Sequence, residues 1–240
     1  MSRVMPGPES RRARDAILGR LRAASIENPR AVPDVAAFYA TRTALRPPDA
    51  ASRVERFCAQ MRGWRGEVVE TSSSAWIAAL AEVVSAKKLQ HLLAGRDTWL
   101  APQLGARFAA DQLHWFDDSL PSFKLQLFER YDAGITTTRG AIAETGTLMI
   151  WPSIAEPRTL SLVPPVHIAV LQASRIVETF HDAIAGTGGA DDWAGNLPSN
   201  ALLVTGPSKT SDIQRVLAFG AHGPKELIVI LIRDDLEAAA

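Results

Sequence analysis

Gly66-Glu67-Val68-Val69-Glu70, then Thr71-Ser72-Ser73-Ser74, then Trp76, Ile77, Leu80, Val83 and Val84 at helical spacing: this stretch decides the fold class. The first piece reads as a short strand, the hydroxyl cluster as a cap, and the last as a helix with one apolar side. Thr98-Trp99-Leu100-Ala101, closed by Pro102, reads as the next strand. Alternation of strand and helix argues for an α/β fold, a mainly parallel sheet flanked by helices.

Toward the N-terminus the pattern is helical only. Ala13, Ile17, Leu18 and Leu21 form a stripe from Ser10 to about Ser25, with Ser10 as a plausible N-cap. A second helix is expected over Asp34 to Leu45, and a third after Pro47-Pro48-Asp49 to about Arg62. Residues 1–60 therefore read as a helical N-terminal extension and 61–240 as the α/β domain. Toward the C-terminus strands are expected at Thr147–Trp151, Val166–Leu171, Ala201–Thr205 and Leu227–Ile232. Ser174 to about Ala185 and Thr210 to about Phe219 read as helices, and Gly186–Pro198 as a surface loop.

Composition excludes several function classes. Lys plus Arg and Asp plus Glu are 26 each, so no net field draws the chain to nucleic acid or an anionic membrane. Arg11, Arg12 and Arg14 lack the aromatic or second basic block of a nucleic-acid arm and read as a solvated helix turn. The single cysteine, Cys58, cannot form an intrachain disulfide, a Cys-ligated zinc site or an iron–sulfur cluster. No secretory h-region and no apolar run of ~20 residues is present, so a cytoplasmic location without a membrane span is expected. The histidines show no metal-binding spacing, so no metal site is expected.

Four segments can carry chemistry. In Ile142-Ala143-Glu144-Thr145-Gly146-Thr147 a carboxylate sits among small and apolar residues. Glu144 is either a general acid/base or nucleophile at a tight bend, or a bulge residue paired with Arg139 or Arg158. Gly146 would permit close backbone approach, and Thr145 adds a hydroxyl. In the second segment, Arg158 can clamp a carboxylate or phosphate, or be a surface charge. His167 opens an apolar strand, where a bonded core histidine competes with a catalytic one. The third is Thr205-Gly206-Pro207-Ser208-Lys209-Thr210-Ser211-Asp212-Ile213, a strand, polar loop and helix start. Gly206, Ser208, Lys209, Thr210 and Asp212 suit an anion over a helix start, although the Walker A spacing is missing and simple capping would also use them. The fourth is Gly220-Ala221-His222-Gly223-Pro224, where His222 and Gly223 form an anion-binding or proton-transferring turn, or a helix C-cap.

Taken as an ordered set, Glu144-Thr145-Gly146-Thr147, Leu162-Val163-Pro164-Pro165-Val166-His167-Ile168, Gly206-Pro207-Ser208-Lys209-Thr210-Ser211-Asp212-Ile213 and His222-Gly223-Pro224 resemble the LUD-domain family over about residues 60 to 232. Its C-type branch, lactate-utilisation protein C, is the nearest resemblance. The resemblance implies a NagB/RpiA/CoA-transferase-like sheet related to Rossmann topologies. It also implies a role in oxidation of L-lactate to pyruvate beside two iron–sulfur partner proteins, this chain being the subunit without a cofactor. Its ligand would be a small anion (lactate, pyruvate, or a phosphorylated or acyl compound) where Glu144, His167, the Ser208–Asp212 loop and His222 converge. The convergence is expected beyond the carboxyl ends of the strands. The alternative is a stand-alone enzyme using Glu144.

Overall fold

The computed structural model describes residues 8–24, 33–41, 49–116, 130–185, 200–210, 218–220 and 222–237. Two units emerge, Met1–Thr41 and Arg42–Ala240. The first holds helices α1 (Pro8–Ala23) and α2 (Val35–Ala40), the latter capped by Asp34, whose carboxylate accepts from the Ala37 N–H at 2.9 Å. Helix α1 begins two residues before the expected Ser10 cap, and the rest of the expected second helix, 42–45, lies outside the described residues.

The second unit opens with α3 (Ala50–Gly63), capped by Asp49. Strand β1 (Glu67–Thr71), helix α4 (Trp76–Ala86), strand β2 (Leu92–Ala94), helix α5 (Ala101–Arg107) and strand β3 (Leu113–Trp115) follow. Then come β4 (Ala133–Thr137), β5 (Gly140–Ile142), β6 (Thr147–Ile150), α6 (Thr159–Leu162), β7 (Val166–Gln172), β8 (Ile176–Val177) and α7 (Phe180–Ala185). The chain closes with β9 (Leu202–Val204), β10 (Lys209–Thr210), β11 (Ala218–Phe219), β12 (Glu226–Ile232) and α8 (Asp234–Glu237).

Six strands form a parallel sheet in the order β1-β12-β7-β4-β2-β3. Alternate side chains feed two cores. Ile135, Ile168, Val170, Ile228 and Ile230 meet Trp76, Leu80 and Val84 of α4 and Leu104 of α5. Ala169, Leu171, Val229 and Leu231 meet Phe57 and Met61 of α3 and Leu148 and Ile150 of β6. Each fully buried large side chain of this kind contributes roughly 1.5–3 kcal/mol. A second sheet, β8-β5-β6-β9, thus covers one face together with α3. Since α3 supplies core residues, it is integral to the unit that starts at Arg42. No helix among the described residues is long and apolar enough to cross a membrane.

Two expected elements are replaced. Thr98–Leu100 is turn and leads into α5; Pro102 stands in the first turn of that helix, where its missing N–H costs nothing. The neighbouring strand is Leu92–Ala94 instead. Ser174–Ala185 is not one helix. A 3-10 turn at Ala173–Arg175 gives way to β8, which pairs in parallel with β5 before α7 begins. Residues 186–198, expected as a loop, lie outside the described residues, as does most of the expected 210–219 helix. The two ends of that last segment form the β10–β11 antiparallel pair.

Candidate functional site

The motif segments meet at the amino end of the parallel sheet, not at its carboxyl end. Pro165 and Lys225 stand just before β7 and β12, and the Lys225 N–H donates to the Pro165 carbonyl at 2.7 Å. The Ser208 N–H donates to the Pro224 carbonyl at 2.8 Å, which places the 206–210 loop at the same end. Loop position follows from which strands pair, and β12 is entered directly from the His222 turn. The Gly220 N–H donates to the Ser208 carbonyl at 3.0 Å, and the His222 N–H donates to Ser208 Oγ at 3.3 Å. Gly223 packs on the same serine, since a Cβ there would sit 3.3 Å from Ser208 Cβ. His222 and Lys209 are exposed. Thr210 is in β10 rather than at a helix start, and Asp212 lies outside the described residues.

The Glu144 turn reaches this loop through hydroxyls. Thr145 Oγ1 and Thr147 Oγ1 are 2.7 Å apart, and Thr147 Oγ1 and Thr205 Oγ1 are 2.7 Å apart. The end of α3 is the floor beneath both segments. The Trp64 indole N–H donates to the Thr145 carbonyl at 3.2 Å. Gly146 and Gly206 both adopt positive φ, 66° and 81°. A Cβ at Gly146 would lie 2.6 Å from the Met61 nitrogen, and one at Gly206 2.5 Å from the Trp64 carbonyl oxygen. These glycines bring backbone against α3, so the close approach expected of Gly146 is made to the protein itself.

Glu144 is half-buried in a four-residue turn that follows β5. Arg139 stacks on Trp151, 4.9 Å from the ring centroid, and Arg158 lines a separate cleft. Beside Glu144 lies Glu178, which follows β8: the Glu144 N–H donates to the Glu178 carbonyl at 2.9 Å. The Glu178 side chain is 7% exposed and ion-paired through Oε1 with Arg56 of α3. Its Oε2 is buried without a hydrogen-bond partner. Burial raises the Glu178 carboxyl above its ordinary pKa; Arg56 opposes that shift and Glu144 adds to it. The sequence does not single out Glu178, because 174–185 reads as a helix, where an acidic residue is an ordinary surface charge. The usable signal was its setting, Ile176-Val177-Glu178-Thr179-Phe180, which is as apolar as that of Glu144.

His167 stands in the middle of the sheet with no exposed surface. Its Nε2 is 2.9 Å from Thr136 Oγ1, and Nδ1 is buried without a partner. Burial pushes its pKa down to about 4, so the ring is neutral across the physiological range. A side chain so enclosed meets no ligand in this conformation; it is a hydrogen-bonded core histidine beneath the site.

The carboxyl end of the sheet is organised differently. From β2 the chain moves outward to β3, whereas from β4 it moves to β7 and β12, so the strand order reverses between β2 and β4. Such a reversal opens a crevice where doubly wound proteins hold ligands. Here Glu156 covers it. One carboxylate oxygen accepts from the Thr137 N–H at 2.8 Å and the other from the Thr137 hydroxyl. Burial raises this carboxyl too, against the lowering effect of Thr137. Arg158 lines an adjoining cleft of 530 Å³ with Ser153, Asn200 and two prolines. Arg158 therefore does not join Glu144, Ser208 and His222.

Cys58 is buried in α3, and burial first, then the Glu70 carboxylate, raises its thiol to about 11. We expect no reaction of the native protein with a disulfide reagent at pH 7 and one thiol per chain after denaturation. Rapid native labelling would contradict this packing.

Comparison with known proteins places the chain. The family model for the LUD domain matches residues 54–232. An uncharacterised protein of Neisseria meningitidis serogroup B is 36% identical over 185 residues, spanning 76% of this chain and 78% of its own. Lactate utilization protein C of Macrococcus caseolyticus is 29% identical over 168 residues, 70% of this chain and 72% of that one. Lactate utilization protein C of an Exiguobacterium species is 30% identical over 125 residues, 52% and 54% of the two chains. A crystal structure of a DUF162 family protein from Deinococcus radiodurans superposes with a TM-score of 0.59 at 21% identity, covering 78% of this chain and 100% of that one. The likeness in fold and a family-model match over residues 54–232, most of the second unit, agree: the chain belongs to the LUD domain family.

Proposed function

We propose that this protein acts in lactate utilisation as a subunit without a redox centre, binding a small carboxylate such as lactate or pyruvate at the amino end of the sheet. The observation that carries the reading is the meeting of the Glu144 turn, the Ser208 loop and the His222 turn over the end of α3. The relatives named lactate utilization protein C supply the metabolic context. Lys209 offers positive charge and, with His222, N–H donors to an anion, and Glu144 offers a proton acceptor or donor to its hydroxyl or keto group. One buried thiol cannot supply the ligands of an iron–sulfur cluster. The electrons of lactate oxidation then pass to two cluster-bearing partner proteins, with the assembly in the cytoplasm. We assign the sheet to the NagB/RpiA/CoA-transferase type on its parallel order and two covered faces.

A thermal-shift titration tests the site. Lactate or pyruvate at 100 times its dissociation constant is expected to stabilise the protein by about 2.7 kcal/mol. The shift is expected to vanish in Lys209→Gln/His222→Gln and to persist in Arg158→Gln. Loss of the shift in Arg158→Gln alone would move the ligand to the carboxyl-end cleft and overturn this placement. A shift with thioesters or sugar phosphates only would overturn the ligand. The stand-alone enzyme is the second reading, favoured by one observation, the buried Glu178 whose backbone carbonyl accepts from the Glu144 N–H; turnover by the purified chain without any partner would establish it.

A further inference from the structure

The cleft at the carboxyl end of the sheet has walls fixed by the fold. Glu156 pins the 152–158 turn to the end of β4 through the Thr137 N–H and hydroxyl. Within the turn the Ser153 N–H donates to the Glu156 carbonyl at 3.0 Å, and the Glu156 N–H donates to Ser153 Oγ at 3.0 Å. The turn also presses on the end of β2, since a Cβ at Gly95 would lie 2.4 Å from the Ala155 carbonyl oxygen. Another wall comes from the start of β9, whose Leu202 pairs with Ile150 of β6 and so brings Asn200 to the side of Pro152. The cleft is therefore preformed.

Its volume of 530 Å³ is that of a small-molecule site, a class that spans about 300–1,000 Å³, and exceeds what a three-carbon acid fills. The lining divides in two. Arg158, Asn200 and Ser153 supply a guanidinium fork, an amide and a hydroxyl. The Arg158 guanidinium has no hydrogen bond or ion pair among the described residues. Pro152, Pro157 and Ile154, the last 84% exposed, give an apolar side. No acidic side chain lines the cleft among the described residues. Glu156, the carboxylate of the turn, is buried, and both its oxygens are engaged by Thr137. An unpaired guanidinium beside neutral donors, with no opposing carboxylate, suits an anion. Three donor side chains match the three terminal oxygens of a phosphate better than the two of a carboxylate, and the apolar side suits an organic group attached to it.

We propose that the carboxyl-end cleft is a second binding site, for an organic phosphate monoester, with Arg158, Asn200 and Ser153 holding the phosphate and Ile154 and the prolines covering the organic group. It goes beyond the amino-end site and does not rest on it.

Calorimetric titration of the full-length protein with phenyl phosphate tests the site. Saturable one-to-one binding is expected, with inorganic phosphate and phenol, each one half of the probe, weaker by about tenfold or more. Arg158→Gln should lose about tenfold or more in affinity, and Arg158→Lys should keep part of it, as a point charge without the fork. Asn200→Ala should weaken binding by a smaller factor. Because Arg158 is exposed and its guanidinium unpaired among the described residues, its variants are expected to melt with wild type, so a loss of binding is not a loss of fold. Lys209→Gln/His222→Gln should leave phenyl phosphate binding unchanged. No saturable heat from wild type at up to about 10 mM phenyl phosphate, or undiminished binding by Arg158→Gln, overturns the site. Binding lost in Lys209→Gln/His222→Gln places the phosphate at the amino end and overturns it as well. Benzoate bound as tightly as phenyl phosphate overturns the phosphate class. Phenyl phosphate bound through Arg158 in a protein that shows no lactate shift would uphold this site and sink only the amino-end reading.

Discussion

Alanine at Gly146 is expected to lower the melting temperature by roughly 8–15 °C, a loss of about 3–4 kcal/mol. Two costs add. The residue has φ of 66°, a conformation in which a Cβ meets the following carbonyl. That Cβ would also lie 2.6 Å from the Met61 nitrogen, inside a helix that cannot recede because Phe57 and Met61 fill the core below. A differential scanning measurement on the purified variant decides it. A melting temperature within a degree of wild type would mean that the turn does not press on α3. The variant is also expected to disturb the hydroxyl contacts of Thr145 and Thr147, so any ligand shift should weaken with it.

Removing the guanidinium of Arg56 should be nearly as damaging. Arg56→Ala leaves Glu178, 7% exposed, without its ion-pair partner among the described residues. Breaking a fully buried pair costs about 3–5 kcal/mol; because Arg56 is 27% exposed and water can reach its place, about 2–3 kcal/mol is expected here. The loss should depend on pH in a definite direction. Without Arg56 the carboxyl pKa rises further, so the variant approaches wild-type stability as pH falls and Glu178 becomes neutral, and diverges from it as pH rises through the raised pKa of Glu178. Glu178→Gln combined with Arg56→Ala should recover much of the deficit. Parallel pH–stability curves for Arg56→Ala and wild type would show that the arginine acts through packing of its stem and not through charge.

Much of the architecture was legible locally. β7 and β12 carry unbroken apolar runs, Val166–Leu171 and Leu227–Ile232, as strands covered on both faces must. Helices α3 and α4 announce themselves by apolar spacing and, for α3, by the Asp49 cap. β2 escaped because Leu92–Ala94 is three residues long and too short for any period to show. Thr98–Ala101 imitated a strand through its β-prone Thr and Trp, although Pro102 suits a helix start equally well.

The site was legible as a set of residues but not as a place. Small polar residues beside glycine marked Glu144–Thr147, Thr205–Ser208 and His222–Gly223. Their end of the sheet depends on β12 lying between β1 and β7, pairings between residues 161 and 60 positions apart, as in Glu67 with Ile228 and Val166 with Glu226. No local pattern encodes that. Glu178 was hidden for the same reason: its meaning comes from the parallel pairing of β8 with β5, and from Arg56 reaching it across 122 positions of sequence.

The three threonine hydroxyls have a further consequence. Thr147 has one hydroxyl hydrogen and two oxygen neighbours, so it gives to one at most and receives from the other. With that hydrogen kept within the row, the row has two senses, Thr145 toward Thr205 or the reverse. Whatever engages Thr205 as a donor or acceptor fixes what Thr145 presents at the far end. Polarity can thus be relayed between two loops 60 positions apart in sequence by rotation of three O–H bonds, with the backbone standing still.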